Sequence, residues 1–103
     1  RIMEMNFGDW EMKNFDEISD PRLKEWYADY INVPATNGES FAIQYQRVAS
    51  FLDELKEKNY EKVAIFAHGG VLICAQLYAG AIKQEEAFSA LTPYGGIIQL
   101  RLD

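Results

Sequence analysis

The middle of the chain carries the clearest helical pattern of apolar and polar positions. This helix is predicted to begin at Glu39 or Ser40 and to end at residues 59–60. Its apolar positions recur at spacings of four and three and therefore share one face. They are Phe41, Tyr45, Val48, Leu52 and Leu55. The same spacing predicts a shorter helix over residues 22–30, with Asp20 as its cap.

Two other stretches predict β-strands. Residues 63–67 form a short, continuous apolar run rich in β-branched residues, which is typical of a buried parallel strand. Residues 97–102 alternate in part between apolar and polar side chains and predict a closing strand. Helices before and between these strands indicate an α/β fold in which helices cover a largely parallel sheet. Because two strands make a small sheet, a further partner strand is expected.

The segment between the two strands is predicted to be mostly helical. Residues 71–78 are apolar on nearly all sides, which favours a buried helix, and Gly80 is its natural end. Cys74 in this helix is expected to behave as a small buried apolar residue. Residues 84–90 predict a short helix, and residues 92–96 predict a turn.

Composition narrows the classes of function that are open to the chain. Its 103 residues make one small domain or part of a larger one. Acidic residues outnumber basic ones 16 to 10, and the net charge of −6 argues against a nucleic-acid-binding surface. The single cysteine and the single histidine exclude an intrachain disulfide and a two-histidine metal site built from this chain.

The chain shows no segment for membrane insertion or export. Its longest apolar run is too short to span a bilayer, and no signal peptide is visible. We therefore expect a soluble, cytoplasmic protein. The chain begins with Arg1 rather than with Met, and we expect the natural chain to begin earlier.

His68 is the strongest candidate for chemistry. It stands at the end of the first predicted strand, and Gly69 and Gly70 then lead into a helix. Ligands of open α/β sheets bind at the carboxyl ends of strands, and the free N–H groups of a helix start favour phosphate. A histidine there can bind phosphate or act as an acid or base. The alternative is a histidine that only satisfies backbone groups in a tight turn.

Two glutamates are candidate acids. Glu4 lies between Met3 and Met5, and burial would make it a usable proton donor near neutral pH. Periodicity alone favours the alternative, an exposed glutamate on an alternating segment. Glu11, beside Trp10, is open to the same two interpretations.

The start of the middle helix carries a hydroxyl and, two turns later, an arginine. Either Ser40 caps the helix or Glu39 complements its positive end, and contact of the Ser40 hydroxyl with a bound phosphate is the less favoured alternative. Arg47 faces away from the apolar stripe and is expected at the surface or in an ion pair. Contact with substrate is the alternative for Arg47.

Four segments, in order along nearly the whole chain, resemble the histidine phosphatase superfamily, whose fold is phosphoglycerate-mutase-like. They are residues 4–11 (E-x-x-F-G-x-W-E), Gly38-Glu39-Ser40 with the trailing Arg47-Val48, residues 63–70 ending in A-H-G-G, and residues 92–96 with the strand after them. Within the superfamily, residues 10–12, 26–29 and 34–40 are similar to the α-ribazole phosphatases of cobalamin assembly. Met12 departs from many relatives, which carry Gly there.

The resemblance implies a fold and an extent. The fold would be a three-layer sandwich with a mostly parallel sheet whose N-terminal strands lie outside this chain. Residues 1–103 would then be the C-terminal part of a single histidine phosphatase domain. The implied enzyme is a phosphomonoesterase that removes phosphate from α-ribazole 5′-phosphate in cobalamin biosynthesis through a phosphohistidine intermediate. No metal or other cofactor is implied.

The resemblance also assigns roles to residues of this chain. His68 would be the second histidine, which holds the phosphoryl oxygens, and Glu4 would be the acid that protonates the leaving oxygen. The N–H of Gly69 would add a phosphate donor. Arg1 and Ser40 are further candidates for substrate contact.

One departure from the family pattern decides what the chain can do alone. The family nucleophile lies in an N-terminal R-H-G motif, and this sequence has neither that motif nor a second histidine. We therefore expect the chain alone to be inactive, and we expect it to dimerise or aggregate through exposed apolar surface. The partner would be a small phosphorylated metabolite. The alternatives are a broad-specificity phosphatase or phosphoglycerate mutase-like enzyme, a non-catalytic phosphate-binding module, and a structural domain with an incidental histidine.

Overall fold

The computed structural model describes residues 1–58, 60–87 and 95–102. The α-helices in these ranges are α1 (Arg22–Ala28), α2 (Phe41–Glu57) and α3 (Gly69–Tyr78). Single 3₁₀ turns cover Gly8–Trp10, Phe15–Glu17 and Gln84–Glu86. None of the described helices is long and apolar enough to cross a membrane.

The predicted three-layer α/β sandwich with a mostly parallel sheet is wrong, because the described residues contain no strand. Residues 63–67 and 97–102, which were predicted to be strands, have no regular secondary structure. Apolar side chains in both segments lie at the surface, where Phe66 is 95% exposed and Ile97 is 87% exposed. A strand is held by hydrogen bonds to a neighbouring strand, so an apolar run is not sufficient to form one.

The chain divides into two compact units. The first, Met5–Gln44, is called here the aromatic unit. The second joins Arg1–Glu4 to the chain from Tyr45 onward and is called here the helical unit. Helix α2 contributes residues 41–44 to the aromatic unit and residues 45–57 to the helical unit.

The core of the aromatic unit is built on Trp10, Trp26 and Ala35, which are all at most 5% exposed. The partly buried residues packed against them are Phe7, Ile18, Leu23, Tyr30 and Val33. The Trp26 ring meets Trp10 edge to face with centroids 5.9 Å apart and stacks on Phe15 at 5.5 Å. Burial of large side chains of this kind contributes roughly 1.5–3 kcal/mol each, so these rings are the main source of stability in this unit.

The N-cap of α1 is Pro21 rather than the predicted Asp20, and Asp20 ties the aromatic unit together. Its carboxylate accepts the Arg22 N–H at 2.9 Å and the indole N–H of Trp10 at 3.2 Å, and it also accepts the Thr36 hydroxyl. The Thr36 hydrogen bond, followed by the Arg22 N–H, holds the pKa of Asp20 below its usual value. The carboxylate therefore stays ionised and keeps its role as an acceptor.

The predicted α2 is confirmed in position and in the face it buries. Phe41, Val48 and Leu52 are buried, at 6%, 1% and 4% exposure, and Tyr45 and Leu55 are half-buried. Helix α2 ends at Glu57, so Lys58 lies just after it. The apolar stripe read from the sequence is therefore the packed face of the helix.

Helix α3 ends at the predicted glycine. Gly80 has a φ of +75°, its N–H donates to Leu77 at 3.1 Å, and the Ala81 N–H donates to Gln76 at 2.9 Å. This pair of bonds is the Schellman arrangement that a left-handed glycine allows. Cys74 in the same helix is fully buried, as expected.

The chain after α3 is described only in part. The short helix predicted over residues 84–90 is represented by the 3₁₀ turn Gln84–Glu86. Ala87 lies in a turn. Residues 88–90 of that prediction, and residues 92–94 of the turn predicted over residues 92–96, lie outside the described residues.

Candidate active site

Glu4 and the start of α3 meet in the helical unit. The Glu4 carboxylate accepts the N–H of Gly70 at 3.0 Å, across 66 positions of sequence. Gly69 and Gly70 are the first two residues of α3, and glycine places no side chain between the helix start and the approaching carboxylate. Glu4 is half-buried. The structure thus brings the predicted acid to the segment that carries the predicted phosphate-binding residues.

His68 immediately precedes α3 and has extended backbone angles, with φ −130° and ψ 163°. Its carbonyl accepts the Leu72 N–H at 3.0 Å, so its backbone begins the helix. The residue is exposed, which leaves the imidazole accessible from solvent. Glu4 is therefore bonded two residues after His68, at the N-terminal end of one helix.

The electrostatics of this helix start favour anions. The first turn of α3 contains no acidic residue of its own. The Glu4 carboxyl group takes up one of the N–H groups at this helix start. The early N–H groups of a helix have no partner within it, so they can also receive an anionic ligand. In the described ranges, no group of three or more His, Cys, Asp or Glu side chains could hold a metal ion.

Arg1, a predicted substrate contact, lies along α2. Its guanidinium forms an ion pair with Glu54, donates to the Ser50 hydroxyl at 3.3 Å and lies 5.6 Å from the centre of the Phe51 ring. The Arg1 hydrogen bond and charge lower the pKa of Glu54. These contacts give Arg1 a structural role on the helix surface, and a role in substrate binding stays a prediction.

Ser40 lies in the aromatic unit and is 3% exposed. Its hydroxyl oxygen accepts the Ile43 N–H at 3.2 Å, which is the bond expected of a helix cap. The predicted capping role is therefore confirmed. Contact between Ser40 and substrate stays a prediction.

The two glutamates near Ser40 and Trp10 hold turns of the aromatic unit. Glu39 accepts the Asn6 N–H through its carboxylate at 2.8 Å and donates its own N–H to the Asn6 carbonyl at 2.7 Å. Glu11 accepts the Phe7 N–H at 2.8 Å. Both carboxylates are thus bound to backbone groups, which favours a structural role for Glu11 over an acid.

Two residues of the site were missed by the sequence analysis in these roles. The Gly70 N–H donates to Glu4, a bond that the sequence did not predict, and the Gly-Gly pair at a helix start was the available signal. Arg47 is half-buried and donates to backbone carbonyls of the segment that carries Glu4. Its position in the R-V pair of the family pattern was the only signal for this residue.

Comparison with known proteins gives the family. The model of the histidine phosphatase superfamily (branch 1) matches residues 1–103. The chain therefore belongs to the histidine phosphatase superfamily, as the sequence resemblance indicated. No solved structure matches the chain.

Three curated relatives carry two different descriptions. The chain is 27% identical, over its whole length, to "Putative phosphoserine phosphatase 2" of Hydrogenobacter thermophilus, of which it covers 52%. It is 36% identical, over 69% of its length, to the adenosylcobalamin/alpha-ribazole phosphatase of Escherichia coli, of which it covers 37%. The corresponding protein of Salmonella typhimurium is 34% identical over the same share. The chain thus spans about half or less of these relatives.

Proposed function

We propose that this chain forms part of the active site of a cytoplasmic phosphomonoesterase that dephosphorylates α-ribazole 5′-phosphate in cobalamin biosynthesis. The observation that carries the proposal is the hydrogen bond from Gly70 to Glu4, which holds a carboxyl group at the helix start beside His68. Family membership makes this helix start a candidate phosphate site. The two α-ribazole phosphatase relatives support the choice of substrate.

Each residue has a role in the proposed reaction. A histidine from outside this chain attacks phosphorus, so that a P–N bond forms while the P–O bond to the leaving group breaks. Glu4 gives a proton to the departing oxygen, which leaves as an alcohol. His68 and the N–H of Gly69 hold the phosphoryl oxygens while charge develops on them. Water then attacks phosphorus, so that a new P–O bond forms while the P–N bond breaks and phosphate is released. The Glu4 carboxylate takes the proton of the attacking water and so regains its acid form.

The proposal also concerns how much of a phosphatase domain this chain contains. We propose that residues 1–103 are the C-terminal part of one histidine phosphatase domain. The chain contains one histidine, which is assigned to phosphate binding, and it contains no R-H-G motif. It also covers only 52% and 37% of two of its relatives. The chain alone is therefore expected to hydrolyse no phosphate ester.

A substrate panel on the complete protein tests the proposed function. We expect kcat/KM to be highest for α-ribazole 5′-phosphate among a set that includes phosphoserine, a phosphoglycerate and 4-nitrophenyl phosphate. His68→Asn removes a donor to the phosphoryl group and should lower kcat by roughly 10²–10³-fold. Glu4→Gln removes the proton donor and should lower kcat by roughly 10²–10⁴-fold on α-ribazole 5′-phosphate.

The control is Gln46→Ala, a change at an exposed position of α2, which should leave kcat and KM unaltered. Phosphate binding without hydrolysis of any ester would contradict the phosphatase and favour a phosphate-binding module. Unchanged activity in both His68→Asn and Glu4→Gln would contradict the site and favour a structural domain with an incidental histidine.

A phosphoserine phosphatase is the second candidate. The relative described as "Putative phosphoserine phosphatase 2" aligns with 100% of this chain, whereas the α-ribazole phosphatases align with 69%. Both substrates are phosphate esters of a primary alcohol, so the same acid and the same phosphate site would serve either. The panel separates them by the ratio of their kcat/KM values.

A further inference from the structure

Arg47 fixes the backbone of the segment that carries Glu4. Its Nη1 donates to the carbonyl of Arg1 at 3.0 Å and to that of Met3 at 2.7 Å. Its Nη2 donates to the carbonyl of Glu4 at 3.1 Å. Three of four consecutive residues are thus bound by one side chain. All of these residues lie in the helical unit.

Residues 1–4 have no regular secondary structure, so side-chain contacts determine where they lie. Glu4 is held at two points, because Arg47 binds its carbonyl and Gly70 binds its carboxylate at 3.0 Å. Arg47 itself is carried by α2, and Gly70 by α3. Glu4 is therefore held by one residue of α2 and one residue of α3.

We propose that Arg47 is a positioning residue that holds the Glu4 carboxyl group where it can protonate the leaving oxygen. The inference rests on the role given to Glu4 under the proposed function. The planar guanidinium has donors in a fixed fork, which suits several carbonyls at once, whereas a lysine ammonium has one nitrogen. A small displacement of a catalytic group can cost about 10²-fold in rate, so the positioning has a measurable kinetic effect.

The leaving group of the substrate reveals the effect of Arg47. An alkyl phosphate such as α-ribazole 5′-phosphate needs a proton on its leaving oxygen, whereas 4-nitrophenolate leaves without one. In the complete protein, Arg47→Ala should lower kcat on the alkyl phosphate roughly ten- to a hundredfold more than on 4-nitrophenyl phosphate. KM should change little for both substrates. Arg47→Lys should recover part of the loss, and Gln46→Ala, the neighbouring change on α2, should cause none.

A second readout needs no activity. The Gly70 amide is hydrogen-bonded to the Glu4 carboxyl group. The NMR shift of the Gly70 amide should therefore follow the ionisation of Glu4 as the pH changes. We expect this response to vanish in Glu4→Gln and to fall by at least about half in Arg47→Ala, while Gln46→Ala retains it. Where Arg47→Ala does not fold, as judged by circular dichroism, Arg47→Lys carries both measurements.

The outcomes separate this inference from the proposed function. Equal loss of kcat on the two substrates, together with an unchanged Gly70 response, would overturn the positioning role of Arg47. If Glu4→Gln itself shows no dependence on the leaving group, the acid role of Glu4 fails, and the positioning role fails with it. If the complete protein hydrolyses nothing, the proposed function fails, and the Gly70 response alone decides whether Arg47 positions Glu4.

Discussion

At the scale of single residues, the Tyr78–Asp53 pair is the clearest electrostatic feature outside the candidate site. Tyr78 is the last residue of α3, and its hydroxyl donates to the Asp53 carboxylate on α2. That hydrogen bond is the largest cause, ahead of burial, that raises the pKa of Tyr78 from 10.0 to about 12. The Lys56 ammonium also lies 5.7 Å from the centre of the Tyr78 ring. The pair therefore links the end of α3 to α2.

Replacing Asp53 should lower the pKa of Tyr78, because the hydrogen bond that raises it is lost. In Asp53→Asn, the pKa of Tyr78 should fall from about 12 toward 10.0, as measured by NMR of the ring carbons. Because the folded-state pKa is above the unfolded value, the pair stabilises the fold fully below pH 10.0 and loses this effect as the pH rises through about 12. Glu57→Gln makes the same change in charge on α2 without touching the hydrogen bond. A Tyr78 titration that is identical in Asp53→Asn and Glu57→Gln would contradict the assignment.

Residues with local roles were the ones that the sequence could predict. The cap at Ser40 and the burial of Cys74 depend on neighbours within a turn or two, so the sequence pattern contains them. The bond between Glu4 and Gly70 joins positions 66 apart, and periodicity alone favoured an exposed Glu4. Only the family resemblance selected Glu4. The bonds from Arg47 to the carbonyls of residues 1, 3 and 4 are also long-range, and only the R-V pair of the family pattern drew attention to Arg47.

At the scale of elements, two turns of the aromatic unit pack backbone against backbone. The Asp9 N–H donates to the Thr36 carbonyl at 2.9 Å. Gly8 has a φ of +57°, and a Cβ there would lie 2.2 Å from the Thr36 carbonyl oxygen. A Cβ on Gly38 would lie 2.4 Å from the Asn6 carbonyl oxygen. Both glycines are therefore required by the closeness of the two turns.

Alanine substitutions at Gly8 and Gly80 should separate the energetic cost of a left-handed backbone from the cost of a steric clash. Gly80 has a φ of +75° with open space around it, so Gly80→Ala should cost about 1–2 kcal/mol for the left-handed backbone alone. Gly8→Ala has a similar backbone conformation and adds a clash with backbone atoms, so its free energy of unfolding should fall clearly further. Denaturant unfolding of the complete protein measures both. Equal losses would show that the two turns can separate without cost.

The helices could be predicted because their apolar period is a local property. The stripe from Phe41 to Leu55 and the left-handed stop at Gly80 both follow from residues within a few turns of each other. The strands over residues 63–67 and 97–102 could not, because a strand depends on hydrogen bonds to a partner that its own sequence does not specify. Local apolar patterns therefore predicted the helices correctly and the strands incorrectly.

At the scale of the whole molecule, family membership covers the full chain, whereas the described residues contain no sheet. The apolar side chains of the predicted first strand are left at the surface, with Val63 48%, Ile65 37% and Phe66 95% exposed. They lie directly before His68 in sequence. Contiguous exposed apolar residues favour association with other surfaces. The net charge of −6 opposes contact between copies of the chain.

Attraction between exposed apolar side chains and repulsion between negatively charged copies together predict how the chain behaves when it is made alone. Burying a Phe side chain is worth roughly 1.5–3 kcal/mol, whereas repulsion between dispersed surface charges is screened by salt. We therefore expect the mass measured by light scattering to rise with concentration, and to rise further at high salt. Phe66→Glu should reduce this association. Met12→Glu, at a fully exposed side chain of the aromatic unit, makes the same change in charge and should leave the association unchanged. A monomeric chain at high concentration and high salt, or equal effects of the two substitutions, would contradict association through this segment.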